Sequence, residues 1–121
     1  MPSNSFQRRV WQWIVACFPE SAHRDIGERN HRFLEEALEL AQANGCTKEE
    51  AYQLVGYVFD RPSGDPRQEA GGVMVTLAAL CNAVEIDMND AGELELDRNW
   101  ARIDRIRQKQ AAKPHGSALP Q

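Results

Sequence analysis

The residues best suited to chemistry are three glutamates in residues 28–44, which read ERNHRFLEEALELAQAN. Glu35, Glu36 and Glu39 have the spacing EExxE, which presents them together on one side of a helix. The like-charge pair Glu35 and Glu39 destabilises an isolated helix by about 0.2–0.5 kcal/mol, and no Lys or Arg follows either residue four positions later. Carboxylate oxygens suit Mg²⁺, so the pattern indicates either a divalent-cation site or a solvated acidic face. The opposite side of this helix is apolar and should face a core; it consists of Phe33, Leu34, Ala37, Leu38 and Ala41.

A fourth carboxylate, Glu69, precedes an apolar run. The sequence DPRQ at residues 65–68 is typical of a helix start, and residues 73–84 are apolar on nearly every side. We expect this helix to be the buried centre of a bundle. Because burying an unpaired carboxylate is costly, Glu69 should lie at a wet edge or meet a cation. Gly71 and Gly72 each cost about 0.8–1.0 kcal/mol relative to alanine inside a helix, which indicates close helix packing or space for a ligand.

Signals for helix starts and stops recur along the chain, and no strand pattern appears. We therefore predict one all-α domain of about five helices over residues 1–110, followed by a flexible C-terminal tail over residues 111–121. The predicted helices are an amphipathic helix over residues 6–18 ended by Pro19, the acidic helix opened by Asp25 and Glu28 and ended by Gly45, a helix from Thr47 and Glu50 toward Asp60, the helix after Asp65, and a last helix capped by Asn89 or Asp90.

The last predicted helix carries two stripes. The apolar stripe consists of Leu96, Trp100, Ile103 and Ile106, and the basic stripe consists of Arg98, Arg102, Arg105 and Lys109. Asp97 and Asp104 lie near these bases, so the basic stripe is either a salt-bridged solvent face or a surface that contacts phosphate.

Composition and charge limit the classes of function. The chain has 121 residues and a formal net charge of −4, which argues against a polymeric nucleic acid or an anionic membrane as partner. The three cysteines are widely spaced and include no CxxC pair, which indicates a reduced, cytoplasmic protein without a zinc site. The N-terminal apolar run lacks a signal-peptide pattern and is too short to span a membrane.

The acidic helix, followed after a helix and turn by QEAGGVMVTLAALCNAVEIDM, resembles the MazG-like all-α nucleoside triphosphate pyrophosphohydrolases over residues 25–110. The family has an EExxE helix, and farther on an ExxD that opens a buried helix ending near a Gly-Ile-Asp-like turn. Glu35, Glu36 and Glu39 match the first motif, Glu69 matches the acid of the second, and residues 86–87 fall at the expected distance. The resemblance implies cleavage of a nucleoside triphosphate to the monophosphate and pyrophosphate, in a homodimer or homotetramer.

The same resemblance implies roles for individual residues. Mg²⁺, with Mn²⁺ as a substitute, would be held by Glu36, Glu39 and Glu69, with Glu35 as an additional ligand or as the group that orients the attacking water. An acidic pocket receives a triphosphate only through bridging cations, with basic groups at the far phosphates. The candidate phosphate-binding residues are Arg32, Arg98, Arg102 and Arg105, and the candidates for reading a base or sugar are Asn30, His31 and Asn82.

One position departs from the family pattern. Gly72 stands where the second motif has its aspartate, so one metal ligand of the family is missing. Gly72 favours one alternative, an inactive or regulatory helical module that keeps the fold; a second alternative, independent of Gly72, is a carboxylate-bridged di-iron bundle. The second needs Glu-x-x-His on two helices, and Glu28 with His31 supplies only one. A preference for purine deoxynucleotides would be in keeping with the resemblance.

Overall fold

The computed structural model describes residue 2 and residues 4–112, and over this range the chain is helical without any strand, as the sequence predicts. The helices are α1 (Phe6–Cys17), α2 (Glu20–His23), α3 (Ile26–Ala43), α4 (Lys48–Phe59), α5 (Pro66–Ala83), α6 (Met88–Ala101) and α7 (Ile103–Ala112). The described residues form seven helices, against the prediction of about five, because the short α2 was not predicted and the predicted last helix is divided. Residues 113–121, which hold most of the predicted tail, lie outside the described residues.

Short-range side-chain caps define most of the helix starts. Thr47 and Glu50 form the predicted capping box at α4: the Glu50 N–H donates to Thr47 Oγ1 at 3.2 Å, and the Thr47 N–H donates to Glu50 Oε1 at 2.8 Å. The Thr47 N–H and the Thr47 hydroxyl both donate to the Glu50 carboxylate, and they hold its pKa below the usual value. Asp65 caps α5 as predicted, accepting from the Gln68 N–H at 3.0 Å.

The structure corrects the predicted caps of α6 and α3, and it divides the predicted last helix in two. Asp87, and not Asn89 or Asp90, caps α6, because its Oδ1 accepts from the Asp90 N–H at 2.8 Å. The last helix is interrupted at Arg102, whose Nε donates to the Arg98 carbonyl at 3.3 Å; the Arg102 N–H also donates to that carbonyl, at 3.1 Å. At α3 only half of the capping box forms: Asp25 accepts from the Glu28 N–H, whereas the Glu28 side chain pairs with arginines.

Two helices end in a residue with positive φ. Gly45, with φ of 93°, ends α3 as predicted, and the Cys46 N–H donates to the Ala41 carbonyl at 3.0 Å. The same arrangement ends α5, where the Ile86 N–H donates to the Cys81 carbonyl at 2.9 Å. The positive-φ position at this second end is occupied by Glu85, with φ of 59°, so a residue with a Cβ adopts a conformation that favours glycine.

The chain separates into two compact units. The first combines the residues up to Ala37 with those from Gly92 onward, and the second is Leu38–Ala91. Helices α3 and α6 each contribute residues to both units. The single domain over residues 1–110 stays a prediction.

The core of the first unit lies where α1 packs against α2 and α7. Ile14, Cys17, Phe18 and Ala22 are buried there, and the tryptophans and isoleucines around them are partly buried. Arg107 donates a hydrogen bond to the carbonyl of Ala16, which joins α7 to α1. Burial raises the pKa of the Cys17 thiol, so this cysteine behaves as a small apolar residue.

A second contact joins α1 to α6. The Arg9 guanidinium forms two hydrogen bonds with Glu93, at 2.7 and 2.5 Å. Arg9 holds the pKa of the Glu93 carboxyl below its usual value. Beside this pair the Phe6 ring covers Gly92, where an added Cβ would lie 3.2 Å from Phe6 Cζ, so glycine allows the close approach.

The most buried charge in the described residues is the Glu28 carboxylate. Glu28 is 4% exposed, and its Oε1 lies 3.1 Å from Arg32 Nε and 3.5 Å from Arg29 Nη2. Arg32 also donates to the Gln110 side chain at 3.0 Å, which connects α3 to α7. The Arg29 guanidinium lies 4.9 Å from the centroid of the Phe18 ring. The predicted first turn of the acidic helix is therefore a packing element of the first unit.

The second unit leaves much of its apolar surface exposed. On α5, which the sequence predicts to be the buried centre of the bundle, Val73, Met74 and Val75 are 40%, 66% and 69% exposed. That prediction is wrong for the single chain. The apolar sequence of a helix indicates that its surface needs to be covered, but it does not indicate which element or chain covers it. The large apolar side chains of α4 are exposed as well; they are Tyr52, Leu54, Val55, Tyr57, Val58 and Phe59.

Glu85→Gly should stabilise the protein by about 0.5–1 kcal/mol. Glycine removes the steric cost of a positive φ, which is about 1–2 kcal/mol, and only part of this gain is offset by its greater freedom in the unfolded chain. Urea unfolding should show a higher midpoint for Glu85→Gly, whereas Glu85→Ala, which keeps a Cβ, should show no gain. Equal midpoints for the two variants would contradict the assignment of strain to residue 85.

Glu28→Gln should lower the free energy of unfolding by about 2 kcal/mol. Removing one partner of a fully buried ion pair costs about 3–5 kcal/mol, and the smaller figure applies here because both arginine side chains are 30% exposed. The matched control is Glu35→Gln on the same helix, which should leave stability unchanged or slightly higher because it relieves repulsion from Glu39. If both variants unfold at the same urea concentration, the Glu28 contacts do not stabilise the first unit.

Candidate functional site

Helix α3 presents the three glutamates of the EExxE motif to solvent. Glu35, Glu36 and Glu39 are all exposed, and the helix is continuous through their positions. The apolar side chains Phe33, Leu34 and Leu38, predicted to face a core, are 50%, 52% and 47% exposed. The orientation of the carboxylates toward water agrees with the helical spacing, whereas burial of the opposite side does not occur in the single chain.

The fourth candidate ligand, Glu69, lies in the first turn of α5 and is exposed. Its carboxyl group lies beside the backbone of Gly64, where an added Cβ would be 3.4 Å from Glu69 Oε1. One turn later, an added Cβ at Gly72 would meet nothing within 4 Å, and the same holds for Gly71. Close packing therefore does not explain these two glycines in the single chain, and an aspartate at residue 72 would have room.

The described residues contain no group of three or more His, Cys, Asp or Glu side chains positioned to hold one metal ion. Helix α3 alone places Glu35, Glu36 and Glu39 at neighbouring positions. Their role as a ligand set with Glu69 stays a prediction from the motifs.

The candidates for base or phosphate binding have mixed surroundings. Arg32 is held by Glu28 and Gln110, so its guanidinium has a structural task in the first unit. Asn30 and Asn82 are exposed, and His31 is half-buried. Nothing in these positions assigns them a ligand.

The basic stripe of the predicted last helix is partly salt-bridged. Arg98 and Arg102 share Glu95, with N–O distances of 2.5 and 3.6 Å. The predicted partner Asp97 is not the acid that pairs with them, while Asp104 lies 3.8 Å from Arg107. The signal for Glu95 was the spacing of three residues to Arg98, which places both on one helical face. Arg105 is exposed.

A cleft of about 400 Å³ lies between α3 and α4, and Glu39 is on its wall. We call it the α3–α4 cleft. Its floor is mostly apolar, formed by Leu38, Ala41, Ala51 and Val55. Polar groups line the remainder: Gln42 and Lys48, whose ammonium lies 5.7 Å from the centroid of the Tyr52 ring. Sequence reasoning missed this cleft, because α3 and α4 were treated as separate amphipathic helices.

The chain was compared with models of protein families, with curated proteins and with solved structures, and none of these comparisons found a match. The resemblance to the MazG-like family therefore rests on the sequence motifs. Within the described range, no single helix combines the length and apolar composition needed to span a membrane.

Proposed function

We propose that this protein is a Mg²⁺-dependent nucleoside triphosphate pyrophosphohydrolase of the MazG-like kind, in which Mn²⁺ can substitute. The observation that carries the proposal is the row of exposed carboxylates on α3, combined with Glu69 in the first turn of α5. Exposed acids at this spacing can be reached by a cation and by a large anionic substrate, whereas buried acids could not.

The residues present suit the ion. Mg²⁺ takes oxygen ligands and keeps several waters, so one or two protein carboxylates and the substrate phosphates are sufficient. Glu36, Glu39 and Glu69 are the proposed ligands, and Glu35 is a further ligand or the group that orients the attacking water. When bound, the ion supplies charge neutralisation for the phosphates beside the carboxylates.

The α3–α4 cleft supports a place for the nucleoside. Its apolar floor suits a base, Gln42 offers both a donor and an acceptor, and Lys48 offers a positive charge near Glu39. In the proposed reaction a water oxygen bonds to the α phosphorus, and the bond from that phosphorus to the oxygen bridging the α and β phosphates breaks. The products are the nucleoside monophosphate and pyrophosphate, with purine deoxynucleotides as the proposed preference.

The proposed partners are the triphosphate and further copies of the chain, in a homodimer or homotetramer. The exposed apolar side chains of α4 and α5 support self-association, because soluble monomers rarely leave large apolar patches open. Free thiols at Cys17, Cys46 and Cys81 agree with the proposed cytoplasmic location. No polymeric nucleic acid and no membrane is proposed as a partner.

A catalytically impaired or regulatory module is the second candidate function. Gly72 favours it, because α5 then offers Glu69 alone where the family pattern has two carboxylates. A panel of canonical and modified triphosphates, assayed with Mg²⁺ or Mn²⁺, separates the two candidates.

Wild-type protein should convert a triphosphate to the monophosphate and pyrophosphate, and Glu39→Gln should lower turnover by about 100-fold, because it removes a charge that the metal needs. The products are separated by chromatography. Glu49→Gln, which changes an exposed glutamate in the first turn of α4, is the matched control and should keep wild-type turnover. Release of orthophosphate with a diphosphate product would refute the reaction assignment. Absence of turnover on the whole panel would favour the regulatory module.

Gly72→Asp should bind Mn²⁺ about tenfold more tightly than wild type in the absence of nucleotide. Residue 72 is three positions after Glu69, on nearly the same helical face, so the added carboxylate would supply a second ligand. Calorimetric titration with and without a non-hydrolysable triphosphate measures the difference in Mn²⁺ affinity between the variant and wild type. The nucleotide should make this difference smaller, because its oxygens complete the coordination shell of the ion in both proteins.

The control for this titration is Gly71→Asp. It adds the same carboxylate at a position that is equally open, but on a different face of the helix. It should bind Mn²⁺ like wild type. Equal affinities for all three folded proteins would mean that residue 72 does not face the metal.

A further inference from the structure

A second cleft, of about 500 Å³, lies within the first unit between α1, α2 and the start of α3. We call it the basic cleft. Its polar lining consists of Gln7, Arg8, His23, Arg24 and Arg29. The Trp11 ring also lines the cleft. Among the described residues no aspartate or glutamate lines it, although Asp25 and Glu28 lie close enough to act on Arg29 and the whole chain carries a net charge of −4. Positive charge is therefore concentrated at one place in an acidic protein.

Aromatic rings hold two of the three arginines. The Arg24 guanidinium lies 4.8 Å from the centroid of the Trp11 ring, and the Arg29 guanidinium lies 4.9 Å from that of Phe18. Trp11 is in turn fixed by an edge-to-face contact with His23, at a centroid distance of 5.8 Å. Because these contacts already order the side chains of Arg24, Arg29 and Trp11, little binding free energy would be lost in immobilising them when a ligand binds.

His23 is oriented by the backbone. Its Nε2 lies 2.7 Å from the Phe18 carbonyl oxygen, and since a carbonyl only accepts, Nε2 carries the hydrogen. The imidazole is thereby held in the wall of the basic cleft, against Trp11.

The charge in the basic cleft is only partly neutralised. Glu28 pairs with Arg29 at 3.5 Å, whereas among the described residues Arg8 and Arg24 form no ion pair. Partial burial lowers the pKa of the Arg29 guanidinium, although the group stays protonated. An anion placed in the basic cleft would offset the desolvation of Arg29.

We propose that the basic cleft binds the phosphoryl group of a small soluble phosphorylated molecule. Guanidinium groups present paired N–H donors that match phosphate oxygens. Because several arginines are present, a doubly charged phosphoryl group suits the cleft better than a ligand with a single carboxylate does. The cleft volume lies in the range of small-molecule sites, and Trp11 and Ile14 offer an apolar surface to the remainder of the ligand. This inference does not rest on the proposed hydrolase function.

The test is calorimetric titration of the full chain with inorganic phosphate, with pyrophosphate and with a nucleoside monophosphate. Each titration is carried out in a buffer that contains EDTA. The chelator removes divalent cations, so a metal-bridged site on α3 contributes nothing. We expect saturable binding of one phosphoryl compound per chain, and the tightest of the three identifies the source of the phosphoryl group. Arg8→Gln and Arg24→Gln should each weaken that binding by about tenfold, the usual effect of losing a charge-assisted hydrogen bond.

The matched control is Arg61→Gln. Arg61 also stacks on an aromatic ring, with its guanidinium 4.1 Å from the centroid of Tyr57, but it belongs to the second unit. This variant should bind like wild type. Arg8 is exposed, so Arg8→Gln should keep the fold even if Arg24→Gln does not, and circular dichroism verifies this.

Three results would overturn the proposal. The first is the absence of saturable binding of all three probes, and the second is wild-type affinity in Arg8→Gln. The third is a tricarboxylate such as citrate binding as tightly as pyrophosphate, which would indicate a general anion site. Repeating the titration in Glu39→Gln separates the two proposals: unchanged binding in EDTA supports the basic cleft whether or not the protein hydrolyses triphosphates.

Discussion

The first unit depends on one buried carboxylate. Glu28 is surrounded by two guanidinium groups, and each of them continues to another element: Arg32 to Gln110 on α7, and Arg29 to the Phe18 ring after α1. A charge in this position is stable only while both arginines remain beside it, because an unpaired buried carboxylate is costly. The start of α3 is thereby fixed to the packed helices, and the same helix carries the EExxE acids into solvent.

The second unit has the opposite character. Its helices have well-formed caps, yet most of the large apolar side chains of α4 and α5 face solvent. Helix capping stabilises each helix by short-range hydrogen bonds and does not bury apolar surface. Local structure and core formation are thus separate in this unit, and a further copy of the chain is the partner that we propose to supply the missing contacts.

The accuracy of the sequence analysis follows the range of the interactions involved. The caps at Thr47 and Asp65 and the stop at Gly45 were predictable, because each depends on residues within five positions. Burial of α5 was predicted wrongly, since it depends on contacts that the single chain does not make. The pairing of Glu28 with Arg29 and Arg32 was not predicted, although these residues lie within four positions of one another, because Glu28 was interpreted as a capping residue. The basic cleft was missed because its three arginines come from different parts of the chain: Arg8 lies on α1, Arg24 follows α2 and Arg29 lies on α3.

Gly72 within α5 and Glu85 just after it depart from the residue types that a helix interior and a helix end favour. At Gly72 the helix continues through a residue with no side chain, and Thr76 Oγ1 donates to its carbonyl at 2.9 Å. At Glu85 the chain turns out of the helix through a residue with a side chain, although glycine would be more favourable there. A residue of low helix propensity therefore lies within α5, and a steric cost lies just beyond its end. Helix α5 is continuous through Gly72, and the Ile86 N–H donates to the Cys81 carbonyl beside Glu85, so neither departure prevents the helix. In the cation site that we propose, Glu69 is the ligand from α5, so the affinity of the site for the ion would depend on the oxygens that the substrate brings.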